Sequence, residues 1–347
     1  MLGGKVQNAN HPVGIKDVAR AAGVSPGTVS NVLNHPERVT EARRVRVERA
    51  IQELGFVRHE SARHLRSGTS RTLGLLLLDA WNPFFTDLAR GVEDWTFDRG
   101  WPVLISNSAR STERETAYLR LFSERRVAGL IVVPNEAFTE QLGELRRRGI
   151  PYVVVDRAES GEEGMSVALD DVKGGSLAVS HLLEIGHRNI AFVGDPHAVT
   201  QVRDRLLGAT KAIADFGAAA QLSVLEPSGL TVEAGRELGN HLAGRAPSDR
   251  PSAVFAASDL VAIGMLQSLT DNGVRVPGEI ALVGYDDIEF ARQVSVPLTT
   301  VRQPAYEMGR TAAEMITGEL LGLPPGGRHV VFEPELVIRE STMYTPA

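Results

Sequence analysis

Residues 15–34 have the sequence IKDVARAAGVSPGTVSNVLN, which predicts two short helices joined by a tight turn. One face of the first helix carries apolar side chains at helical spacing, namely Ile15, Val18, Ala19 and Ala22. Gly23 follows this helix, at a position where a tight turn can use positive φ. Because Ser25 is a favourable N-cap and Pro26 suits the first helical position, a second helix is predicted to begin at once.

The second helix is predicted to bury one stripe and to present small groups on its other faces. The predicted buried side chains are those of Val29, Val32 and Leu33, and the outward residues are Gly27, Thr28, Ser30 and Asn31. Two short helices joined by a Gly-containing turn, with small polar groups outside, meet the requirements of a helix that enters the DNA major groove. Taken alone, this stretch leaves an ordinary helical hairpin open as an alternative.

A third helix is predicted after the helix pair. Thr40 is its predicted N-cap, and the helix ends at Gly55. The predicted inward side chains of this helix are Val47, Ala50, Ile51 and Leu54.

The charge distribution favours the DNA-binding interpretation. Residues 1–70 contain 11 Lys and Arg against 6 Asp and Glu, a net charge of +5. Because the whole chain has a net charge of −6, residues 71–347 have a net charge of −11. A basic head on an acidic body is typical of a DNA-binding module joined to a globular domain.

Three runs of the chain resemble the lactose/galactose-repressor family of bacterial transcription regulators. They are IKDVARAAGVS…TVS.VLN, ELGFVRHESARHLRSG and RTLGLLLLDAWNPFF, and the resemblance extends from about residue 15 to residue 341. It implies a sequence-specific regulator, a repressor, that binds a pseudo-palindromic double-stranded operator as a homodimer. It also implies that a small effector, sugar-like or nucleoside-like, controls the affinity for the operator.

Composition narrows the class of protein independently. The 347 residues are 43% hydrophobic, which is enough for sizeable cores and for more than one domain. The absence of cysteine from the sequence excludes disulfides, thiolate catalysis and Cys-based metal sites. The first residues, MLGGKVQNANHP, contain no apolar run that suits a signal peptide or a membrane helix. We therefore expect a cytoplasmic, nucleoid-associated protein without a membrane partner.

The sequence after residue 72 predicts an α/β fold. Near-continuous apolar runs alternate with amphipathic stretches, a pattern typical of parallel sheets flanked by helices. The predicted strands are 73–78, 102–106, 128–133, 151–156, 189–194, 253–258 and 280–285. The predicted helices are 84–97, 113–125, 138–148, 172–183, 202–216, 233–243 and 260–272. So many elements exceed one sheet, and we predict two lobes in a core like that of the periplasmic binding proteins.

These patterns predict a domain organisation with four parts. They are a disordered tail at 1–13, a helix-turn-helix DNA-binding domain at 14–58, a hinge helix and linker at 59–71, and a two-lobed effector-binding and dimerisation domain at 72–347. Lobe 1 is predicted at about 72–158 and 291–322, and lobe 2 at about 159–290 and 323–347. The predicted crossovers between the lobes are 156–167, 297–304 and, from the resemblance, a point near 323–327.

Polar residues that follow the predicted strands are candidates for the effector site, because ligands of open α/β sheets bind outside the carboxyl ends of strands. By motif, the resemblance implies effector contacts from Asn82, Phe84, Phe85, Asp156, Arg157, Arg203, Asp259 and Gln303. Carboxylates and guanidinium groups suit hydroxyls, and Phe rings suit apolar C–H faces. Leu230 stands where the family often has an aromatic residue. The alternative role is structural, and Asp195 or Asp259 could each be a simple N-cap.

The resemblance also implies the DNA contacts. The candidate DNA-binding residues are Ser25, Pro26, Gly27, Thr28, Ser30, Asn31, Asn34 and Leu65. Asn31 stands where the family commonly has Arg, and Asn suits adenine as Arg suits guanine. Residues 59–66 are the proposed hinge helix, which should be poorly ordered away from DNA, with Leu65 inserting between base steps in the minor groove. A simple basic linker is the alternative.

Two other classes of protein compete with a regulator. An enzyme on the same scaffold is disfavoured, because the sequence has no G-x-S-x-G, no P-loop, no GxGxxG opening a helix and no paired His at metal spacing. A receptor for transported sugars is disfavoured by the basic head and by the missing signal peptide. We therefore expect no catalytic residue, no metal and no cofactor.

Overall fold

The computed structural model describes residues 13–56, 70–135, 143–145, 147–157, 164–197, 199–217, 219–323 and 327–343. The chain divides into two compact units, Met1–Thr69 and Ser70–Ala347. The predicted hinge helix with Leu65, most of the predicted tail and much of the predicted helix at 138–148 lie outside the described residues. Within the described ranges, no helix is both long and apolar enough to cross a membrane.

The first unit contains the predicted helix-turn-helix. Its helices are α1 (Ile15–Ala22), α2 (Pro26–Asn34) and α3 (Glu41–Leu54). Gly23 ends α1 at φ 63°, and the Ser25 hydroxyl caps α2 by accepting from the Thr28 backbone N–H at 3.1 Å. The buried residues of its core are Val18, Ala19, Ala22, Val29, Val32, Val47, Ala50 and Phe56. Leu54, predicted to face inward, is 36% exposed, and Phe56 packs in the core after the turn at Gly55.

The second unit alternates strands and helices. In its first part, the elements are β1 (Leu73–Leu77), α4 (Pro83–Phe97), β2 (Val103–Asn107), α5 (Thr112–Glu124), β3 (Gly129–Val132), β4 (Tyr152–Val155), β5 (Met165–Leu169) and α6 (Asp171–Glu184). They are followed by β6 (Asn189–Val193), α7 (Thr200–Phe216), β7 (Gln221–Leu225), α8 (Val232–Ala243), β8 (Ala253–Ala256) and α9 (Asp259–Asp271). The last are β9 (Ala281–Asp286), β10 (Thr299–Arg302), α10 (Ala305–Leu320), β11 (His329–Phe332) and β12 (Glu335–Val337).

These strands form two sheets, one in each lobe. In the described residues, the sheet of lobe 1 has the order β11-β5-β4-β3-β1-β2 and is parallel throughout. The sheet of lobe 2 has the order β12-β10-β9-β8-β6-β7, in which β12 runs antiparallel to β10 and the other described neighbours are parallel. Central strands such as β1, β4 and β9 are buried along their whole length because helices cover both faces.

The lobe boundaries differ from those predicted. Strand β5 pairs with β4, with Met165 opposite Val153, so the sheet of lobe 1 continues to Leu169 rather than stopping at residue 158. Strand β10 pairs with β9 in lobe 2, and β11 pairs with β5 in lobe 1, whereas the sequence predicts the opposite lobe for each. These strands are short, and their place is decided by partners distant in sequence, which local patterning does not reveal.

Backbone contact at glycines brings the helices of each layer together. Among the described helices, α4 and α10, α6 and α7, and α8 and α9 each cross with a glycine on both sides. The pairs are Gly91 with Gly309, Gly175 with Gly208, and Gly235 with Gly264. A Cβ on any of these glycines would lie only 1.9–2.2 Å from a backbone carbonyl oxygen of the opposite helix. The helices therefore approach more closely than any other residue permits.

Helix α10 offers a matched test of this crossing. Gly309→Ala should lower the free energy of unfolding by about 1–3 kcal/mol or more, because its Cβ would lie 2.0 Å from the Leu88 carbonyl oxygen. Gly318→Ala lies in the same helix, and apart from the backbone of that helix and the chain neighbours no described atom is within 4 Å of the added Cβ, so stability should be unchanged or rise by up to about 1 kcal/mol. Urea unfolding followed by circular dichroism measures both values. Equal effects of the two substitutions would contradict the crossing.

Candidate functional site

Helix α2 presents the predicted DNA-contact residues to solvent. Val29 and Val32 are buried, whereas the exposed residues are Ser25, Pro26, Gly27, Asn31 and Asn34, with Thr28 and Ser30 half-buried. Some of these polar groups already bond within the helix. The Ser25 and Thr28 hydroxyls lie 3.0 Å apart, and the Asn34 amide donates to the Ser30 carbonyl oxygen at 2.8 Å. Asn31 is exposed in the middle of this face.

A hydrogen bond joins the two lobes at the start of α4. Asn82 is the N-cap of this helix, because its side-chain oxygen accepts from the Phe84 N–H at 3.0 Å. Its amide nitrogen donates across to Oδ2 of Asp286, at the end of β9 in lobe 2, at 3.3 Å. The other oxygen of Asp286 accepts from the Gln303 amide at 2.7 Å. A buried carboxylate of lobe 2 is therefore held by one amide from lobe 1 and by one from the end of β10.

Arg205 is the positive centre of the same region. Its guanidinium donates to Asp171 at 2.8 Å and to the Ala257 carbonyl oxygen at 2.7 Å. It also lies over the Tyr285 ring, 3.7 Å from the ring centroid, and the Tyr285 hydroxyl donates to Asp171 at 2.8 Å. The Arg205 and Asp171 side chains are only 5% and 7% exposed. This buried ion pair connects α6, α7, β8 and β9 within lobe 2.

Asp156 of lobe 1 contacts lobe 2 in the same region. It follows β4 at φ 64°, and its backbone oxygen and its Oδ2 both accept from the Gln201 amide of lobe 2, the latter at 3.0 Å. Within the described residues, its other oxygen, Oδ1, is buried without a hydrogen-bond partner. The same holds for Oε1 of Gln303. Two buried acceptor atoms of the described residues therefore lack a hydrogen-bond donor. A buried acceptor that is left unpaired destabilises the folded state.

These side chains form what we call the interlobe polar cluster. Its members are Asn82, Asp156, Asp171, Gln201, Arg205, Tyr285, Asp286 and Gln303. In the described part of the chain, no group of His, Cys, Asp and Glu is arranged to hold a metal ion. The cluster combines three carboxylates with one guanidinium, so its hydrogen-bonding capacity is dominated by acceptors.

Burial raises the pKa values of these carboxyl groups. Burial, followed by the charge of Asp171, raises the pKa of Asp156 well above its ordinary value, and burial likewise raises the pKa of Asp171. Burial raises the pKa of Asp286 to about 6, although Arg205 and the amides of Gln303 and Asn82 oppose the shift. Burial acts to lower the pKa of Arg205. The neighbouring carboxylates, Asp171 first, outweigh this effect and raise that pKa above its ordinary value. The guanidinium therefore stays charged while the acids hold their protons more tightly.

The structure brings only some of the predicted effector residues into this cluster, namely Asn82, Asp156 and Gln303. Phe84 and Phe85 pack edge to face in the core of lobe 1, 3% and 4% exposed, and Phe84 lines a cavity of about 260 Å³ with Asp286 and Gln303. Arg157 is half-buried. Burial of Glu115 raises the pKa of that carboxyl group, and the charge of Arg157 partly opposes the shift.

Asp259 and Arg203 have other surroundings than those predicted. Asp259 is fully buried and accepts from the Thr300 hydroxyl at 2.7 Å and from the Ile288 N–H at 2.9 Å, so it fixes the loop after β9. Ser258, not Asp259, is the N-cap of α9. The Arg203 side chain is 60% exposed, and its guanidinium lies 3.5 Å from Asp204. Its predicted place is taken by Arg205.

A sequence signal for Arg205 and Asp286 exists, although neither is among the predicted effector residues. Val202, Arg205 and Ala209 follow helical spacing on the buried face of α7, whereas Arg203 lies off this stripe. Asp286 follows an apolar strand as Asp156 does. Asp171 and Gln201 carry no such signal, because their role depends on contacts between distant segments.

Comparison with known proteins assigns the family. The family model described as bacterial regulatory proteins, lacI family, matches residues 14–59, and that of the periplasmic binding protein-like domain matches residues 179–342. The HTH-type transcriptional repressor PurR of Photobacterium profundum is 33% identical over 328 residues, which cover 94% of this chain and 98% of the relative. The chain belongs to the lacI family of bacterial regulatory proteins. The predicted family is thereby confirmed.

Solved structures of lacI-family proteins share this fold. The lac repressor dimer bound to operator and the anti-inducer ONPF has a TM-score of 0.82 at 25% identity, covering 96% of this chain and 100% of that one. A LacI family transcriptional regulator from Enterococcus faecium with bound ribose has a TM-score of 0.71 at 29% identity, covering 78% and 98%. The predicted α/β fold, with a helix-turn-helix and a core like that of the periplasmic binding proteins, is confirmed.

The raised pKa of Asp286 predicts a pH-dependent stability for this lacI-family chain. Between its ordinary value of 3.8 and about 6, the folded state binds the Asp286 proton more tightly than the unfolded state does. The free energy of unfolding therefore gains a contribution as the pH falls through this window, and it loses that contribution as the pH rises. Burial lowers the pKa values of His181 and His187, which acts in the opposite direction.

The comparison with Asp286→Asn tests this contribution together with its effect on the neighbouring acids Asp156 and Asp259, since both proteins contain the histidines. Urea unfolding at pH 7, 6 and 5 should show the parent gaining stability relative to Asp286→Asn as the pH is lowered. A difference between the two proteins that stays constant, or that shrinks towards pH 5, would show that Asp286 does not titrate in this way.

Proposed function

We propose that this lacI-family protein is a transcriptional repressor whose operator affinity is set by a sugar-like effector held in the interlobe polar cluster. It is a regulator and not an enzyme, as its repressor relatives are. The observation that carries the effector class is the pair of buried acceptors, Oδ1 of Asp156 and Oε1 of Gln303, that lack partners within the described residues. A ligand with several hydroxyl groups satisfies both.

The position of the cluster supports a role in switching. Asn82 and Asp156 of lobe 1 bond to Asp286 and Gln201 of lobe 2, so a ligand bound among them changes the contacts that hold the lobes together. An effector that binds one arrangement of the lobes better than another shifts the population towards it. Because linkage is reciprocal, effector and operator alter each other's affinity by the same factor. The ribose bound by the Enterococcus faecium relative supports a sugar, and a nucleoside-like ligand presents similar donors.

The division of labour that we propose follows the predicted domains. Residues 14–58 bind the operator. Residues 59–71 connect this domain to the core and contact the minor groove through Leu65. Residues 72–347 bind the effector and form the dimer. A closed homodimer places two copies of α2 about one helical turn apart on a pseudo-palindromic operator. The lac repressor relative, a dimer on its operator, supports this assembly. Such a protein acts in the cytoplasm, at the nucleoid.

Asn31→Ala tests the DNA-contact face. The substitution should cost about 1–3 kcal/mol on the best operator and relax the preference at one symmetric base pair, because the amide suits the edge of adenine. Asn34→Ala is the control on the same helix, since the Asn34 amide bonds to Ser30 and is expected to contact only phosphate. Fluorescence anisotropy with operator variants measures both. Equal weakening on every sequence would assign Asn31 to the backbone of the DNA.

Asp156→Asn tests the effector site. Asn tolerates the positive φ of this position, so the fold should be kept, while a donor replaces one acceptor. Effector binding should weaken by about 1–3 kcal/mol, and operator binding without effector should be largely unchanged. Arg203→Ala is the control, because this side chain is 60% exposed and pairs with Asp204, which is outside the cluster. Operator anisotropy titrated with a panel of sugars measures both, and a parent-like response from Asp156→Asn would rule out this site.

A further inference from the structure

A cavity of about 670 Å³ lies at the edge of lobe 1 where its strands begin. In its lining, Trp101 comes two residues before β2, and Met165 is the first residue of β5. Parallel strands begin at one edge of a sheet and end at the other. The cavity is therefore at the edge opposite to Asn82 and Asp156, which follow the ends of β1 and β4. Its volume falls within the range of about 300–1,000 Å³ that is usual for small-molecule sites.

The walls of this cavity are mostly apolar. Trp101 and Met165 are buried, and Trp95 is half-buried. The Trp95 Nε1 donates to the Thr317 hydroxyl at 3.4 Å, so the polar atom of this indole has a partner and its apolar body is left for contact. The other apolar side chains of the lining are those of Met315, Leu321, Leu323 and Val330. Indole rings and adaptable methionines suit a ligand with an apolar body.

Two arginines of the lining lie over its two tryptophans. The Arg99 guanidinium is 3.6 Å from the Trp95 ring centroid, and that of Arg71 is 5.8 Å from the Trp101 ring centroid. Arg99 also donates to the Trp95 carbonyl oxygen at 3.0 Å. Among the described residues, no carboxylate pairs with either arginine. The ring contacts hold both guanidiniums in place, and each has further N–H groups with which to bind a ligand.

The acidic residues of the lining are Glu314 and Glu319. Glu319 lies 3.9 Å from Arg328, which offsets its charge. Glu314 is exposed, and no ring or ion pair of the described residues fixes its carboxylate. The cavity therefore sets two positioned guanidiniums against one mobile carboxylate that has no cation of its own. This charge distribution is complementary to an anion.

We infer that this cavity binds a small carboxylic acid with an apolar body. The ligand carboxylate accepts hydrogen bonds from Arg71 and Arg99, as guanidinium groups commonly donate to carboxylates. Its apolar body is covered by Trp101, Met165 and Met315, and removing that surface from water favours binding. The inference does not depend on the effector proposed for the interlobe polar cluster, since the two sites lie at opposite edges of the sheet.

Calorimetric titration of the full chain tests the class of ligand. Three probes share an indole body and differ in charge, namely indole-3-propionate, the neutral indole-3-propionamide and the cation tryptamine. Octanoate presents the same charge as the first on a flexible body. Indole-3-propionate should bind roughly tenfold or more tightly than the amide, because charge-assisted hydrogen bonds are stronger than neutral ones. Tryptamine should bind most weakly, because the guanidiniums repel it.

A matched pair of arginine substitutions tests the contact with the carboxylate. Arg99→Gln should weaken the binding of indole-3-propionate roughly tenfold and should change that of the amide much less. Arg90→Gln is the control, because Arg90 also lies over an aromatic ring, 5.2 Å from the Tyr306 centroid, but it is not part of the lining. This control should bind indole-3-propionate like the parent.

Gly318 allows the cavity to be filled without a change of charge. It lies in α10 and lines the cavity, and no described atom outside the helix backbone and the chain neighbours is within 4 Å of an added Cβ. Gly318→Leu should therefore keep the fold, which circular dichroism checks, and should abolish the binding of indole-3-propionate and octanoate. Gly318→Ala should bind nearly as the parent does. In the parent, octanoate should also shift the tryptophan emission, and this shift should be lost in Gly318→Leu.

The results also separate this site from the interlobe polar cluster. Asp156→Asn should bind indole-3-propionate like the parent, and binding should persist in the presence of a saturating sugar. If neither acid binds the parent at millimolar concentration, or if the amide or tryptamine binds as tightly as the acid, the inference is overturned. Equal effects of Arg99→Gln and Arg90→Gln, full binding by Gly318→Leu, or loss of binding in Asp156→Asn would each overturn it as well.

Discussion

The buried guanidinium of Arg205 is the contact on which the second unit depends. It pairs with Asp171, donates to the Ala257 carbonyl oxygen and stacks on Tyr285, so it connects four elements of lobe 2. Its charge also opposes the raised pKa values of Asp156 and Asp286. Removing one partner of a buried ion pair leaves an uncompensated charge, which typically costs about 3–5 kcal/mol. Without Arg205, the described part of the chain has no other buried arginine or lysine to balance the acids between the lobes.

The glycine crossings make this arrangement possible. A Cβ on Gly175 would lie 2.0 Å from the carbonyl oxygen of Arg205 itself, so α6 and α7 meet at the residue that carries the ion pair. Helix α6 begins with Asp171, and this close approach allows the carboxylate to reach the guanidinium. Packing and electrostatics are therefore coupled here. The small size of Gly175, an uncharged residue, allows the charged groups of Asp171 and Arg205 to come together.

The interlobe polar cluster combines satisfied and unsatisfied groups, and this combination suits a switch. The bonds of Asn82 to Asp286 and of Gln201 to Asp156 hold the lobes, whereas buried acceptors of Asp156 and Gln303 lack partners in the described residues. Unsatisfied buried acceptors reduce stability, and a ligand that donates to them recovers that free energy. Under the proposed function, the affinity for an effector and the change between lobe arrangements have one physical origin.

The sequence alone determined the features that depend on neighbouring residues. The caps and apolar stripes of the first unit, the long buried strands such as β1 and β9, and the polar position of Asn82 after β1 follow from local spacing and turn chemistry. The tertiary structure alone decided the lobe of β5, β10 and β11, since strand pairing joins segments far apart in the chain. It also placed Arg205 rather than Arg203 in the cluster and revealed Asp171 and Gln201 as partners. A helix places neighbouring side chains on different faces, and although apolar spacing marks the face of α7 that carries Arg205, its partners Asp171 and Ala257 come from distant segments that only the fold brings together.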